Sequence, residues 1–335
     1  MARRSFAAAS LLAVALLLLA FRGADWRELL EIVQRAHVEY LALGAAIVAV
    51  SLFVRAARWG VLLGRSGLSP LGSVFSATVV GYLANGYLPA RAGEVIRCVM
   101  VARTGNVSTS FALATTLTER LLDAATLALI GSAMLISLPG LPTWLSSAAG
   151  IAGILALVGT GGLVVLPHFD GLIKKLMPLL PLSGNLRERA AAATEQFLLG
   201  MKSFQRRDRA LAFAGLTGAI WLVDGLGSVV GAWALDLPLS LQQGLVLLAA
   251  LGLASALPST PGFVGIYQFV AVTVLVPFGY SQSEALAYIL VSQVVYYAVL
   301  TGLGVIGIWR LGTAKLSIPV ESVNSVPLSG PSARK

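Results

Sequence analysis

Seven ionisable side chains stand inside apolar stretches of this sequence: Arg91, Glu94, Arg97, Glu119, Arg120, Asp123 and Asp224. An ion at the centre of a bilayer costs roughly 2.5–3.5 kcal/mol even on the lenient insertion scale. These groups must therefore face one another or water. Arginine suits phosphate, because its planar fork donates paired hydrogen bonds and keeps its charge when desolvated. Two readings stay open. The charges form mutually neutralising pairs that lock helices together, or they line a polar cavity for a charged headgroup. Arg91 leads the candidates for headgroup contact. The four carboxylates outnumber the three arginines, which a simple anion trap does not require. They could hold the arginines in place, or carry protons. Asp224, with no charged neighbour on its own segment, is the candidate proton carrier. Gln268 and Gln293 add neutral polar groups in the second half.

Breaks in the apolar pattern lie beside these residues. Asn85-Gly86-Tyr87-Leu88-Pro89-Ala90-Arg91-Ala92-Gly93-Glu94 interrupts one long apolar stretch, and Leu257-Pro258-Ser259-Thr260-Pro261-Gly262 interrupts another. Broken backbone at membrane depth is tolerated only where protein or a water-filled cavity surrounds it. Each break is expected at the tip of a re-entrant hairpin. Asn85 and the half-helix starts after Arg91 and after Pro261-Gly262 would add polar groups and backbone N–H dipoles. Six Ser and Thr residues between Ser108 and Thr118 line the cavity or pack helices.

The chain has 335 residues, 57% of them apolar and only 12% charged, with mean hydropathy +0.84. Ordinary soluble domains carry about 25% charge. Recurrent apolar runs point to an all-α polytopic membrane protein. One cysteine, Cys98, excludes an internal disulfide, and the two histidines, His37 and His168, lie far apart in predicted loops. No metal, cofactor or nucleic-acid partner is expected. No P-loop or hydrolase motif is present, so the chain is not expected to be an enzyme.

About six full spans are expected, near 5–21, 39–54, 107–137, 143–166, 209–234 and 282–310. Two hairpins, with arms near 70–87 and 93–102 and near 240–256 and 262–278, complete the membrane domain over about 1–311. Residues 25–38 read as an interfacial amphipathic piece. Arg55, Arg58 and Trp59 read as snorkelling anchors at the end of the second span. An amphipathic linker occupies about 167–209, and 312–335 reads as a disordered tail. Most of the 24 Lys and Arg fall on one side if the N-terminus is cytoplasmic and each hairpin returns to its own side. Both termini are then cytoplasmic, in a bacterial inner membrane. The halves, about 39–137 and 209–310, become an inverted repeat, a recurring transporter plan.

Three motifs carry a resemblance over about residues 10–310. They are Asn85…Leu88-Pro89-x-Arg91-x-Gly93-Glu94-x-x-Arg97, Glu119-Arg120-x-x-Asp123, and Pro258-x-x-Pro261-Gly262-x-x-Gly265. They resemble the lysylphosphatidylglycerol synthase transmembrane-region family, also called the flippase-like domain. The family includes the membrane half of a factor that moves aminoacylated phosphatidylglycerol between leaflets. It also includes stand-alone members tied to other lipid processes. The resemblance implies lipid handling, with Arg91, Glu94, Glu119, Arg120 and Asp123 as the headgroup site. No soluble aminoacyl-transferase segment is expected here, so synthesis of that lipid is not implied. The expected activity is transport of an anionic or aminoacylated phospholipid, or of a polyisoprenyl-linked lipid. The alternatives are a lipid-modifying intramembrane enzyme, or a scaffold for a lipid-modifying or glycosylating partner.

Overall fold

Hydrocarbon offers the backbone no hydrogen-bond partners, so apolar runs of this length fold as helices. The computed structural model describes residues 2–64, 71–88, 91–104, 107–138, 143–165, 206–256 and 260–316, with isolated positions between 169 and 201. The described residues form helices and no strand. In order they are α1 (Ala2–Phe21), α2 (Trp26–Gln34), α3 (Val38–Leu63), α4 (Leu71–Tyr87), α5 (Ala92–Thr104), α6 (Thr109–Ile136), α7 (Thr143–Val165), α8 (Arg207–Trp233), α9 (Leu241–Ala254), α10 (Ile266–Leu275) and α11 (Gln282–Leu316). Short 3-10 turns, Pro261–Phe263 and Val276–Phe278, flank α10.

Among the described residues, five segments are long and apolar enough to cross a membrane: Val38–Leu63, Ser146–Leu163, Arg207–Trp233, Pro261–Phe278 and Gln282–Arg310. The chain is thus an all-α multi-pass membrane protein. The span expected near 107–137 is α6, which has 28 residues but carries Glu119, Arg120 and Asp123. Three of the expected hairpin arms are short: α4, α5 and α9 contain 17, 13 and 14 residues, against the 20 or so that a crossing helix needs. The fourth differs from expectation, because α10 and its flanking 3-10 turns make up the crossing-length segment Pro261–Phe278. Serine caps fix several helix starts. Ser240 and Gln243 form a reciprocal capping box on α9, and Ser281 and Glu284 do the same on α11.

Several expected boundaries move. On sequence alone the second span ends near residue 54. Instead α3 runs to Leu63, because Arg55 and Arg58 meet carboxylates inside the protein rather than water. Asn85 and Gly86 do not break their helix; α4 continues through both to Tyr87, and the break falls at Leu88–Arg91. α11 likewise continues past Arg310 to Leu316. Pro89, Pro258, most of the 167–209 linker and the tail from 317 lie outside the described residues.

Three long-range helix pairs pack antiparallel. α3 lies along α8 with its numbers rising as those of α8 fall: His37 N donates to Ala234 O at 2.8 Å, Tyr40 packs edge-on against Trp233, and Arg58 reaches Thr217. α4 lies along α11 through Val79 with Gly307, Leu83 with Gly304 and Gly86 with Tyr297. α6 lies along α9 through Leu127 with Gly252, Gly131 with Ala249 and Met134 with Gln242. Among the apolar cores that result are two at helix ends. One joins the ends of α3 and α5 to the starts of α4 and α6, through Trp59, Leu62, Val74, Val101 and Ala112. The other joins the ends of α8 and α10 to the starts of α9 and α11, through Ala232, Leu247, Leu275 and Leu286. α2 buries Leu29 and docks on the head of α11, where Ser283 exchanges hydrogen bonds with the Asp25 backbone.

The first hairpin closes without space to spare. A Cβ added at Gly93 would collide with the carbonyl oxygen of Gly81 and with Asn85. Gly93→Ala is expected to lower the thermal unfolding midpoint in detergent, reflecting an overpacking penalty of about 1–3 kcal/mol. Gly159→Ala, where a Cβ meets open space, should leave the midpoint in place. An unchanged Gly93→Ala protein would show that the arms are not packed this closely.

Candidate functional site

Arg58 stands at the centre of the polar interior. Its Nη1 donates to Asp123 Oδ1 at 2.6 Å and to Thr217 Oγ1 at 3.2 Å. Its Nη2 donates to Asp123 Oδ2 at 2.9 Å and to Glu119 Oε1 at 2.8 Å. The fork thus grips Asp123 at both oxygens. Glu119 and Asp123, one helical turn apart on α6, face the same way. The second oxygen of Glu119 accepts from Arg97 Nη2 at 2.9 Å. Arg97 Nε lies 2.8 Å from Glu94 Oε2, one turn earlier on α5. Aromatic faces cover the cations: Arg97 over Trp59 at 4.7 Å and Arg58 over Phe213 at 5.1 Å. Arg58 and Glu119 are 0% exposed. This inner set joins α3, α5, α6 and α8, and matches the lock reading.

A second, more open layer lies beside it. Glu94 belongs to both, because its Oε1 is 2.8 Å from Arg120 Nη2 and accepts from Asn85 Nδ2 at 3.2 Å. The Arg120 side chain is 27% exposed and that of Glu94 15%. Arg120 donates to Tyr82 Oη at 3.1 Å and lies over the Tyr82 ring. Arg91 occupies the tip of the first hairpin, with φ 53, in the left-handed region. Its guanidinium donates to the Ser255 carbonyl at the end of α9, and to the Ser255 hydroxyl. The first hairpin therefore touches the tip region of the second. Arg91 lies within electrostatic reach of Arg120, Glu94, Tyr82 and Tyr267. Tyr297 packs on Gly86 and lies near Gly262, so its ring bridges both tips. To one side, Arg55 pairs with Asp224, bonds Ser51 and lies over Trp221.

Six of the sequence candidates meet directly: Asn85, Glu94, Arg97, Glu119, Arg120 and Asp123. Arg91 reaches the opposite hairpin instead of a carboxylate. Asp224 pairs with Arg55 rather than standing alone. Gln268 and Gln293 do not join the charged set. Gln268 Nε2 donates to Gln293 Oε1, Gln268 Oε1 accepts from Gly265 N, and Gln293 Nε2 donates to Gly262 O. They brace the second tip, where Gly262, following Pro261, needs its φ of 74. The hydroxyls of α6 serve packing: Thr115 accepts from Trp59 Nε1 and bonds Ala112 O, and Thr118 bonds Ala114 O.

Arg55 and Arg58 are the residues that sequence reasoning missed, since both read as surface anchors. The signal was present, because Ala56, Ala57, Trp59, Val61, Leu62 and Leu63 continue the apolar run past them. Their inclusion reverses the expected balance. Five arginines (Arg55, Arg58, Arg91, Arg97, Arg120) now face four carboxylates (Glu94, Glu119, Asp123, Asp224).

Fold and site together define a helical membrane protein with a charged, partly accessible interior where two broken hairpins meet. The chain belongs to the family described as the lysylphosphatidylglycerol synthase TM region, whose model matches residues 6–304. It is also similar to glycosyltransferase AglD of Haloferax volcanii, at 27% identity over 297 residues, covering 79% of this chain and 48% of that protein. The chain spans about half the length of that curated relative.

The two layers predict different mutant behaviour. Truncating one partner of a fully buried pair costs about 3–5 kcal/mol, because the other charge is stranded. Glu119→Ala should therefore sharply lower the unfolding midpoint or abolish folded expression. Arg91→Gln, which gives up contacts to a neutral carbonyl and hydroxyl at the rim, should fold and melt close to the parent. Equal losses in both would show that the layers are one structural unit.

Proposed function

We propose that this protein moves a phosphate-bearing lipid between the leaflets of a bacterial inner membrane. The headgroup passes the two hairpin tips while the acyl or isoprenoid chains stay in the bilayer. The observation that carries this reading is the side chain of Arg91, which crosses from one tip to the other beside the accessible Arg120. A headgroup between the tips would meet both guanidinium groups. Family membership supports a lipid-related role in the membrane.

The helix neighbours support two inverted halves. Exchanging α3 with α8, α4 with α9, α5 with α10 and α6 with α11 turns the α4–α11 pair into the α6–α9 pair. It also turns one apolar core into the other. The antiparallel course of α3 and α8 is what inversion requires. Glu94 with Arg120 and Gln268 with Gln293 are corresponding bridges, at nearly the same separation along the chain. Broken helices meeting at the midplane of such repeats recur in transporters. Backbone N–H groups at the starts of α5 and α10 would add to the anion-attracting field.

A second reading has its own support. Similarity to about half of a glycosyltransferase favours a membrane subunit that presents a lipid to a glycosylating partner. Stable co-purification of such an enzyme, with no transport by the isolated chain, would favour it.

The discriminating experiment is translocation of fluorescent lipids in proteoliposomes, read by quenching from one side. Arg91→Ala and Arg120→Ala are expected to abolish translocation while the proteins remain folded. Mass spectrometry of the recovered lipids should show unchanged covalent structure, whereas an enzyme would alter it. Parental translocation rates in a well-folded Arg91→Ala/Arg120→Ala protein would rule this site out.

A further inference from the structure

Every carboxylate of the polar interior already has a cation. Glu94 meets Arg97 and Arg120, Glu119 meets Arg58 and Arg97, Asp123 meets Arg58 and Arg120, and Asp224 meets Arg55. The converse does not hold. Among the described residues, Arg91 bonds only Ser255, through a neutral carbonyl and a neutral hydroxyl. One positive charge is left over, and it sits at the rim.

Hydrogen bonding is lopsided in the same sense. Buried atoms without a hydrogen-bond partner include Arg58 Nε, Arg97 Nη1, Arg120 Nε and Trp221 Nε1, which are all donors. Asn85 Oδ1 is the acceptor among them. Glu94 Oε2 and Arg97 Nε also lack an aligned bond, but they face each other at 2.8 Å as an ion pair. Of the donors, Arg120 Nε is the one that belongs to the more open layer, since Arg58 and Arg97 lie in the inner lock and Trp221 beside Arg55. A surplus charge and a spare donor at the rim both favour a ligand with negative charge and open acceptors.

We propose that the lipid taken by this pocket carries a singly charged phosphodiester headgroup with no compensating amine. The proposal rests on the lipid-transport reading and names its substrate class. A phosphodiester brings one negative charge to match the one surplus cation, and its free oxygens accept from Arg91 and Arg120. A choline or ethanolamine headgroup adds an ammonium for which no carboxylate is spare. A lysyl-esterified headgroup is net cationic, and would press its amines against Arg91 and Arg120. The name of the family therefore does not describe the preferred cargo of this member.

The test is native mass spectrometry of the purified full chain with equal amounts of phosphatidylglycerol, phosphatidylcholine and lysyl-phosphatidylglycerol. Retention of phosphatidylglycerol should exceed that of either other lipid by about tenfold or more, because an ammonium with no spare carboxylate is penalised beside Arg91 and Arg120. Arg91→Gln should reduce phosphatidylglycerol to the level of phosphatidylcholine, and Arg91→Lys should keep most of the preference. Equal retention of the three lipids, or preference for the lysyl form, overturns the charge assignment while leaving lipid transport standing. Absence of any bound lipid overturns both. Soluble glycerophosphoglycerol serves as a competitor. Its displacement of phosphatidylglycerol at equal concentration would assign the pocket to a water-soluble phosphodiester and overturn the lipid assignment.

Discussion

A guanidinium in a hydrocarbon-level interior must have its charge matched and its donors used, and the architecture turns on how Arg58 meets that demand. Asp123 takes two of its N–H groups, Glu119 a third, and Thr217 shares one of the same nitrogens. Those partners come from α6 and α8, and Glu119 in turn binds Arg97 on α5. One cation on α3 therefore dictates where three other helices can lie. A buried pair of this kind is not a source of large net stability, since desolvation offsets most of the attraction. It acts instead by penalising every arrangement in which one partner is left alone. In a membrane, where hydrophobic packing between helices is a weak discriminator, such a penalty can select one bundle from many.

The inner ion pairs and the open rim divide two demands that the proposed transport role would impose together. A site made only of fully paired charges would be rigid and have nothing to offer a ligand. A site made only of surplus cations would repel itself apart. Glu94 links the two, holding Arg97 on its inner side and Arg120 on its outer side. Asn85 steadies the same carboxylate from α4. On the proposed reading, a phosphate that takes hold of Arg120 would compete with Glu94, the carboxylate that also holds Arg97.

Much of this was legible in the sequence, and the exceptions have physical causes. Apolar runs identified an all-α membrane protein, because bilayer thickness and backbone hydrogen bonding leave few alternatives, but they did not fix which helices are long and apolar enough to cross: the arm expected near 262–278 lies in such a segment, Pro261–Phe278. The ring of Asn85, Glu94, Arg97, Glu119, Arg120 and Asp123 could be named because charges inside apolar runs stand out. Arg55 and Arg58 escaped because they sit near the end of a run, where position alone cannot distinguish a side chain reaching for water from one reaching inward. Asn85 and Gly86 read as helix breakers, yet α4 carries both. Asn85 is held by Glu94, and the bare face of Gly86 receives the Tyr297 ring. Local propensity lost to tertiary contact at both positions. The amide pair Gln268–Gln293 was seen, but its role in bracing the second tip depends on the paths of the Gly262 and Gly265 backbones, which side-chain chemistry does not reveal.

That amide pair also makes the two halves mechanically unequal. Pulling the first hairpin away from α6 severs charge-assisted bonds, each about twice as strong as a neutral one. Pulling the second away from α11 severs a contact between two uncharged amides. Equal force applied at the two ends would not yield equal displacement. The backbone near Gly262 is thus held to α11 by weaker bonds than those that hold the arm bearing Glu94 to α6.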